Sequence, residues 1–134
     1  MAGYSGTPLV KKLGIRAGDR VAVLNGPPRW TIEGLPADVK LRSRARAPLD
    51  VIVAFFDRRT RLERRLDSLI GALRAEGSLW IGWPRKATWH VSDISENDLR
   101  DLLLPRGLVD VKVAALDEDW SGLKFVWRRE LRRG

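Results

Sequence analysis

Apolar positions are densest at Ser78-Leu79-Trp80-Ile81-Gly82-Trp83, a run that ends in Pro84-Arg85-Lys86. Upstream, Leu62, Leu66, Leu69, Ile70 and Leu73 recur at i, i+4, i+7, i+8 and i+11, one stripe at the helical period. Arg61, Arg64, Arg65 and Arg74 lie off that stripe, and Thr60 with Glu63 has the spacing of a capping box. The spacing predicts a helix over Arg61 to Arg74, closed by Glu76-Gly77, then a buried strand and a charged loop. Helix, glycine turn and buried strand in that order make half of a crossover unit, which implies a parallel sheet.

The remaining elements follow from the same patterning. Thr7-Pro8 is a helix start, and Leu9, Val10 and Leu13 give one apolar face before Gly14 supplies a left-handed stop. Arg20 to Leu24 reads as the first strand and ends in Asn25-Gly26-Pro27-Pro28, which cannot continue it. A short helix is expected around Arg29 to Gly34. Val39 to Ala45 reads as an edge strand, because Lys40, Arg42, Arg44 and Arg46 make one face wholly cationic. Asp50 to Phe56 is almost continuously apolar, the pattern of a strand covered on both faces. Ser95 caps a helix over Glu96 to Leu104 with Asp98 at the third position, and Ile94 and Leu99 stand as a hydrophobic staple. Leu108 to Leu116 and Leu123 to Trp127 are the last strands, joined by a turn short enough for an antiparallel hairpin. The fold class is therefore a three-layer α/β domain over residues 1–134, with a mainly parallel sheet ending in an antiparallel hairpin and a basic tail, 128–134, expected to fray.

Composition narrows the function. At 134 residues and 44% hydrophobic content the chain can bury a core, and no apolar run reaches the length of a membrane span. Met1 to Gly14 lacks the apolar centre of a signal peptide, and there is no cysteine, so a cytoplasmic location without disulfides or thiolate metal sites is expected. The formal charge of +8 favours anionic partners, nucleic acid among them. Of the 25 basic residues six are lysine and 19 arginine, a bias that GC-rich coding also produces without selection for binding.

The order of elements from Arg20 onward resembles a shortened Rossmann-like fold of the class I methyltransferases. Asp50 to Phe56 looks like the fourth strand of that fold, the exit Leu73 to Leu79 like its passage into the fifth, and the closing hairpin like its sixth and seventh. Three stretches also resemble a small uncharacterised bacterial family of actinobacterial type: Gly3-Tyr4-Ser5-Gly6-Thr7-Pro8 with Lys12-Leu13-Gly14, Trp83-Pro84-Arg85-Lys86, and Asp117-Glu118-Asp119-Trp120-Ser121-Gly122-Leu123. That second likeness implies a fold and no activity. The first implies S-adenosylmethionine on a glycine-rich turn after the first strand, where backbone must approach the ligand. This chain offers one glycine, Gly26, followed by two prolines without N–H donors, and its second strand ends among arginines where an acidic residue is expected. Only Ala47 to Leu49 separate the second strand from the next, so a helix, a strand and a further helix of the full fold are absent.

Other chemistry has little to stand on. His90 is the single histidine, so a histidine-rich metal site is excluded and a catalytic triad would rest on it alone. Ser92, Asp93 and Ser95 read as turn and cap residues, and Asp117 to Asp119 as a hairpin turn whose Trp120 folds back onto the sheet. Trp80 and Trp83, three apart on one strand, point to opposite faces. Ligands of such sheets bind beyond the carboxyl ends of the strands, which gathers Asn25, Gly26, Asp57, Trp83, Arg85 and Lys86 around one crevice. Arg42, Arg44, Arg46, Arg61, Arg64 and Arg65 form a candidate basic patch. Arg85 and Lys86 are expected to face the anion, with Trp83 and Trp89 as aromatic neighbours. The sequence points to a non-catalytic binding or regulatory module that recognises an anionic partner such as nucleic acid, with no cofactor, no metal and no membrane. A small enzyme using a nucleotide-like cofactor such as S-adenosylmethionine, and a protein-interaction domain, are the alternatives.

Overall fold

Strands Arg20–Leu24 (β1), Lys40–Arg42 (β2), Leu49–Phe55 (β3), Leu73–Pro84 (β4), Leu108–Ala115 (β5) and Trp120–Trp127 (β6) form one sheet in the order β2-β1-β3-β4-β6-β5. β2, β1, β3 and β4 pair in parallel, and β6 pairs antiparallel with both β4 and β5. The structure is a computed structural model that describes residues 7–85 and 91–132. The expected α/β class, with a mainly parallel sheet and a closing hairpin, is the observed one.

β3 sits at the centre of the parallel half and is buried on both faces. Leu49, Ile52, Ala54 and Phe56 join one core cluster, and Val51, Val53 and Phe55 the other. The first face is covered by helices Arg59–Ala72 (α2) and Glu96–Leu103 (α3), whose buried residues include Leu62, Leu66, Leu69 and Leu99. The second face has a thinner layer: the five-residue helix Leu9–Leu13 (α1) and the irregular chain from Pro27 to Val39, which contributes Trp30, Ile32 and Leu35. No helix forms over 29–34, where one was expected. Arg29 takes a left-handed φ of 66°, and Trp30 is drawn inward as its indole donates to the Leu116 carbonyl at 2.9 Å. Trp80 and Trp83 do lie on opposite faces.

α2 begins two residues before the predicted start, and its cap is not the predicted one. Thr60 lies inside the helix, and the cap position, Arg58, makes no side-chain cap bond. The Asp93 carboxylate, 34 residues further on, accepts from the Arg59 N–H at 2.7 Å instead. The Arg59 guanidinium then donates to Asp98 at 2.7 Å and to Glu63 at 3.0 Å, so α2 and α3 are joined at their first turns. At the other end α2 stops at Ala72 and the chain is extended from Leu73, so Glu76-Gly77 lies within β4 and is not a helix exit. Gly77 is needed there because an added Cβ would stand 2.8 Å from Leu73 and 3.0 Å from the Asp50 carbonyl oxygen.

The cap of α3 is the predicted one. Ser95 Oγ accepts from the Asp98 N–H and the Asp98 carboxylate accepts from the Ser95 N–H. Ile94 and Leu99 are buried in the same cluster, as a staple requires. α1 stops at Gly14, whose φ of 74° is the left-handed stop expected of it, although Pro8 and not Thr7 occupies its cap position. β2 is a three-residue edge strand with every residue exposed. Residues 129–131, expected in a loose tail, make a 3-10 turn, and Arg132 donates to the Trp127 carbonyl.

Candidate functional site

The chain runs from β1 outward to β2 and returns to β3 on the other side of β1. The connections after β1 and β3 therefore run to opposite sides, toward β2 and toward β4, and the gap beyond the carboxyl ends of these two strands is the topological switch point of an open α/β sheet. A crevice of about 790 Å³ occupies it, lined by the β1 turn Asn25–Pro28, by Phe55, Phe56 and Asp57 after β3, by Arg61, Arg64 and Arg65 of α2, and by Asp117, Asp119 and Trp120 of the hairpin.

Each wall has a local cause. Asn25 takes a left-handed φ of 57°, a conformation asparagine tolerates, and its Nδ2 donates to the Phe55 carbonyl at 3.3 Å. That bond ties the β1 turn to the end of β3. Phe55 is the aromatic floor: Trp30 stands edge-on to it at 4.9 Å between centroids and Trp120 at 5.3 Å. Trp120 is held there by Asp117, whose carboxylate accepts from the Asp119 and Trp120 N–H groups at 2.7 and 2.8 Å. Arg61, Arg64 and Arg65 share one exposed face of α2 because positions three and four apart lie together on a helix. Arg61 meets Asp57 at 3.8 Å. Arg64 and Arg65 have no carboxylate within ion-pair distance among the described residues.

The structure thus brings together Asn25, Gly26 and Asp57, as the sequence reading grouped them, and adds the three α2 arginines that the reading had put in a separate patch. It takes Trp83 out of the crevice: the ring is 7% exposed and packs in the core beneath α2 and α3. The reason is strand parity, since Trp83 shares its face with Leu79 and Ile81, four and two positions before it on β4. Arg85 turns to the hairpin, its N–H donating to the Asp119 carbonyl at 2.8 Å and its Nη1 to the Glu118 carbonyl at 3.4 Å. Lys86, Trp89 and His90 lie outside the described residues. Arg42, Arg44 and Arg46 border a different, shallow depression beside β2. Ser92 and Asp93 are turn and cap residues, accepting from the Ile94 and Arg59 N–H groups. No cluster of metal-ligating side chains occurs among the described residues, and no described helix is long and apolar enough to cross a membrane. Asp117, Asp119 and Trp120 also line the crevice, which the sequence pattern does not show; the hairpin is the expected one, but its last strand starts at Trp120 rather than Leu123, so Trp120 belongs to the strand and not to the turn.

The crevice does not fit S-adenosylmethionine by the contacts the resemblance implies. A glycine serves there when ligand fills the side that a Cβ would occupy. At Gly26 that side already holds Val23 Cγ1 at 3.3 Å and the Trp30 ring at 4.0 Å. Pro27 and Pro28 contribute no N–H donors to the turn. β2 ends in Arg42, with no carboxylate at the position expected to accept from ribose hydroxyls.

No protein-family model matches the chain, and no curated protein matches it in sequence. Solved structures match in shape. The ribosomal-protein methylase of Lactobacillus delbrueckii subsp. bulgaricus is 11% identical at a TM-score of 0.56, with 90% of this chain and 76% of that one covered. Aeropyrum pernix fibrillarin, in complex with natively bound S-adenosyl-L-methionine, is 14% identical at 0.57, with 92% and 70% covered. The magnesium protoporphyrin IX methyltransferase of Synechocystis, with bound SAM, is 9% identical at 0.56, with 90% and 74% covered. At such identities the likeness concerns the fold alone: the chain has the α/β fold of the class I S-adenosylmethionine-dependent methyltransferases in a shortened form.

Proposed function

We propose that this chain is a binding module of methyltransferase-like fold that holds a nucleotide-class anion, in particular single-stranded nucleic acid, in the switch-point crevice without transferring a methyl group. The observation that carries the reading is the α2 wall. Arg61, Arg64 and Arg65 flank the same cavity as the half-buried ring of Trp120, with the buried Phe55 and Phe56 in its lining. Guanidinium groups pair with phosphate and aromatic faces stack bases, and the two together serve single strands with little sequence preference. The overall charge of +8 raises the local concentration of such a ligand. The turn Asn25–Pro28 supports binding over transfer, since it lacks the donors that the methyl-group carrier of this fold needs.

Fluorescence anisotropy with a labelled oligothymidylate, at several salt concentrations, tests this. Binding is expected to weaken with salt, and Arg64→Ala with Arg65→Ala should reduce the slope of log affinity against log salt by about one to two units, roughly one per lost phosphate contact. Folding should be nearly unchanged, since exposed charges contribute little to stability. An unmodified protein that binds no oligonucleotide overturns the proposal. An unchanged slope in the double variant moves the contact to Arg42, Arg44 and Arg46 or to Arg85 and Lys86.

A further inference from the structure

The face of the closing hairpin that looks toward α1 carries cations that the crevice does not use. Register sets Lys112 of β5 opposite Lys124 of β6, and Lys124 opposite Trp80 of β4. Directly opposed residues point to the same face, so these three side chains form a row across the sheet. The Lys112 ammonium stands 5.8 Å from the centroid of the Trp80 ring. α1 closes over the row. Its Lys12 is 8% exposed and donates to the Ala115 carbonyl at 3.3 Å, and the Cβ position of Gly14 is 3.9 Å from Lys124 Nζ. A depression of about 400 Å³ is lined by Thr7, Lys11, Lys12, Lys112 and the backbone stretch Val113 to Ala115.

Like charges at this spacing repel. Lys112, Lys124 and Arg16 take part in no ion pair among the described residues. Burial, and then the neighbouring Lys112 and Arg16, hold Lys124 below the ordinary lysine value, the direction expected of an ammonium that lacks a counter-charge. On the same face the buried Trp80 indole N–H has no acceptor among the described residues. A lysine stem laid over a tryptophan explains Lys112 alone; it does not explain why a second lysine is placed directly across from it. Two ammonium groups set side by side without an ion-pair partner among the described residues are complementary to an oxyanion, and phosphate is the compact multivalent one.

We infer that this lysine cluster, separate from the α2 arginines, binds a phosphate group, either free or as the phosphodiester of a nucleic-acid strand. The test is a titration of the intact protein, at constant ionic strength, with sodium pyrophosphate and in parallel with a short oligothymidylate. Binding is followed on the lysine ε-methylene NMR signals. Lys112 and Lys124 should shift saturably while the exposed and remote Lys40 does not. Lys112→Gln, at an exposed position, should weaken that binding roughly tenfold through loss of one charge-assisted contact. Arg64→Ala with Arg65→Ala should leave it unchanged, which separates this site from the crevice. Saturation by pyrophosphate alone assigns the site to free phosphate, and saturation by the oligonucleotide assigns it to a strand. The inference is overturned if neither ligand shifts Lys112 and Lys124 saturably, if all lysines move together, or if Lys112→Gln binds as tightly as the unmodified protein.

Discussion

Gly82 and Gly122 face each other across β4 and β6, and the dent they leave is filled by Leu116, which is fully buried. Gly122→Ala would put a Cβ 2.8, 3.0 and 3.0 Å from three side-chain carbons of Leu116. Carbon atoms prefer about 3.5–4.0 Å, so the overlap is roughly 0.5–1 Å at each. Leu116 cannot simply retreat. Its N–H donates to the Trp120 carbonyl at 2.8 Å and its own carbonyl accepts from the Trp30 indole at 2.9 Å. Overpacking of this kind costs about 1–3 kcal/mol. The narrower unfolded ensemble of alanine returns about 0.4–1 kcal/mol, since Gly122 has an ordinary extended backbone. The net expectation is a loss of about 1–2 kcal/mol, read as a lower midpoint in urea with an unchanged slope. The cycle with Leu116→Ala isolates the cause. That change alone should cost about 2–5 kcal/mol, and adding Gly122→Ala to it should cost nothing more, a coupling of about 1 kcal/mol or greater. Strict additivity of the two changes would refute the packing argument, because it would mean the added methyl never meets Leu116.

Leu66→Asp places a carboxylate at a fully buried position on α2, at a cost of several kcal/mol against a total of about 5–15, so circular dichroism should show an unfolded chain at 25 °C. Asp98 is held below its ordinary carboxylate value by the Ser95 hydroxyl and N–H and then by Arg59. Its contribution is therefore complete above the unfolded value of 3.8 and is lost as pH falls through the lower folded value. Asp98→Asn should flatten that acid limb of a stability–pH curve, and a variant with the same limb as the parent would contradict the assignment. Isothermal calorimetry should give no saturable heat with S-adenosylmethionine up to about 1 mM, the top of ordinary Michaelis constants, and micromolar binding would reverse the reading of the Pro27-Pro28 turn.

The sequence was most legible where periodicity and burial agree. The α2 stripe, the doubly buried β3 and the α3 capping box are local patterns with one physical solution; β3 and the cap stand where expected, and the stripe does so from Leu62 to Ile70, whereas Leu73 already belongs to β4. Legibility failed where a distant residue decides. Thr60 and Glu63 satisfied the spacing of a cap, yet Asp93 won the Arg59 N–H because α3 docks beside it. The stretch 29–34 lacked any strong pattern, and the demand of Trp30 for a carbonyl partner at Leu116 set its path. In the candidate site, the ends of β1 and β3 were legible because strand ends collect ligands in this topology. Trp83 was misplaced because its loop-like neighbours Pro84 and Arg85 suggested an open position, whereas the apolar face beneath α2 had room for the ring. The α2 arginines were visible as charges, but their sharing of a cavity with Phe55 depends on how α2 lies on the sheet, which periodicity does not encode.

The Asp93–Arg59–Asp98 linkage makes two helices begin as one event. α2 follows β3 immediately in the chain, but the acceptor for its first amide arrives only when the segment before α3 has docked. Until then the first turn of α2 keeps an orphan donor and frays. The first turn carries Arg61, and the next carries Arg64 and Arg65, so the cationic wall of the crevice depends on a contact made with the segment that leads into α3. Slow deuterium exchange at the Arg59 amide therefore reports the docking of α3, and any agent that loosens residues 91–98 would disarm the crevice without touching it.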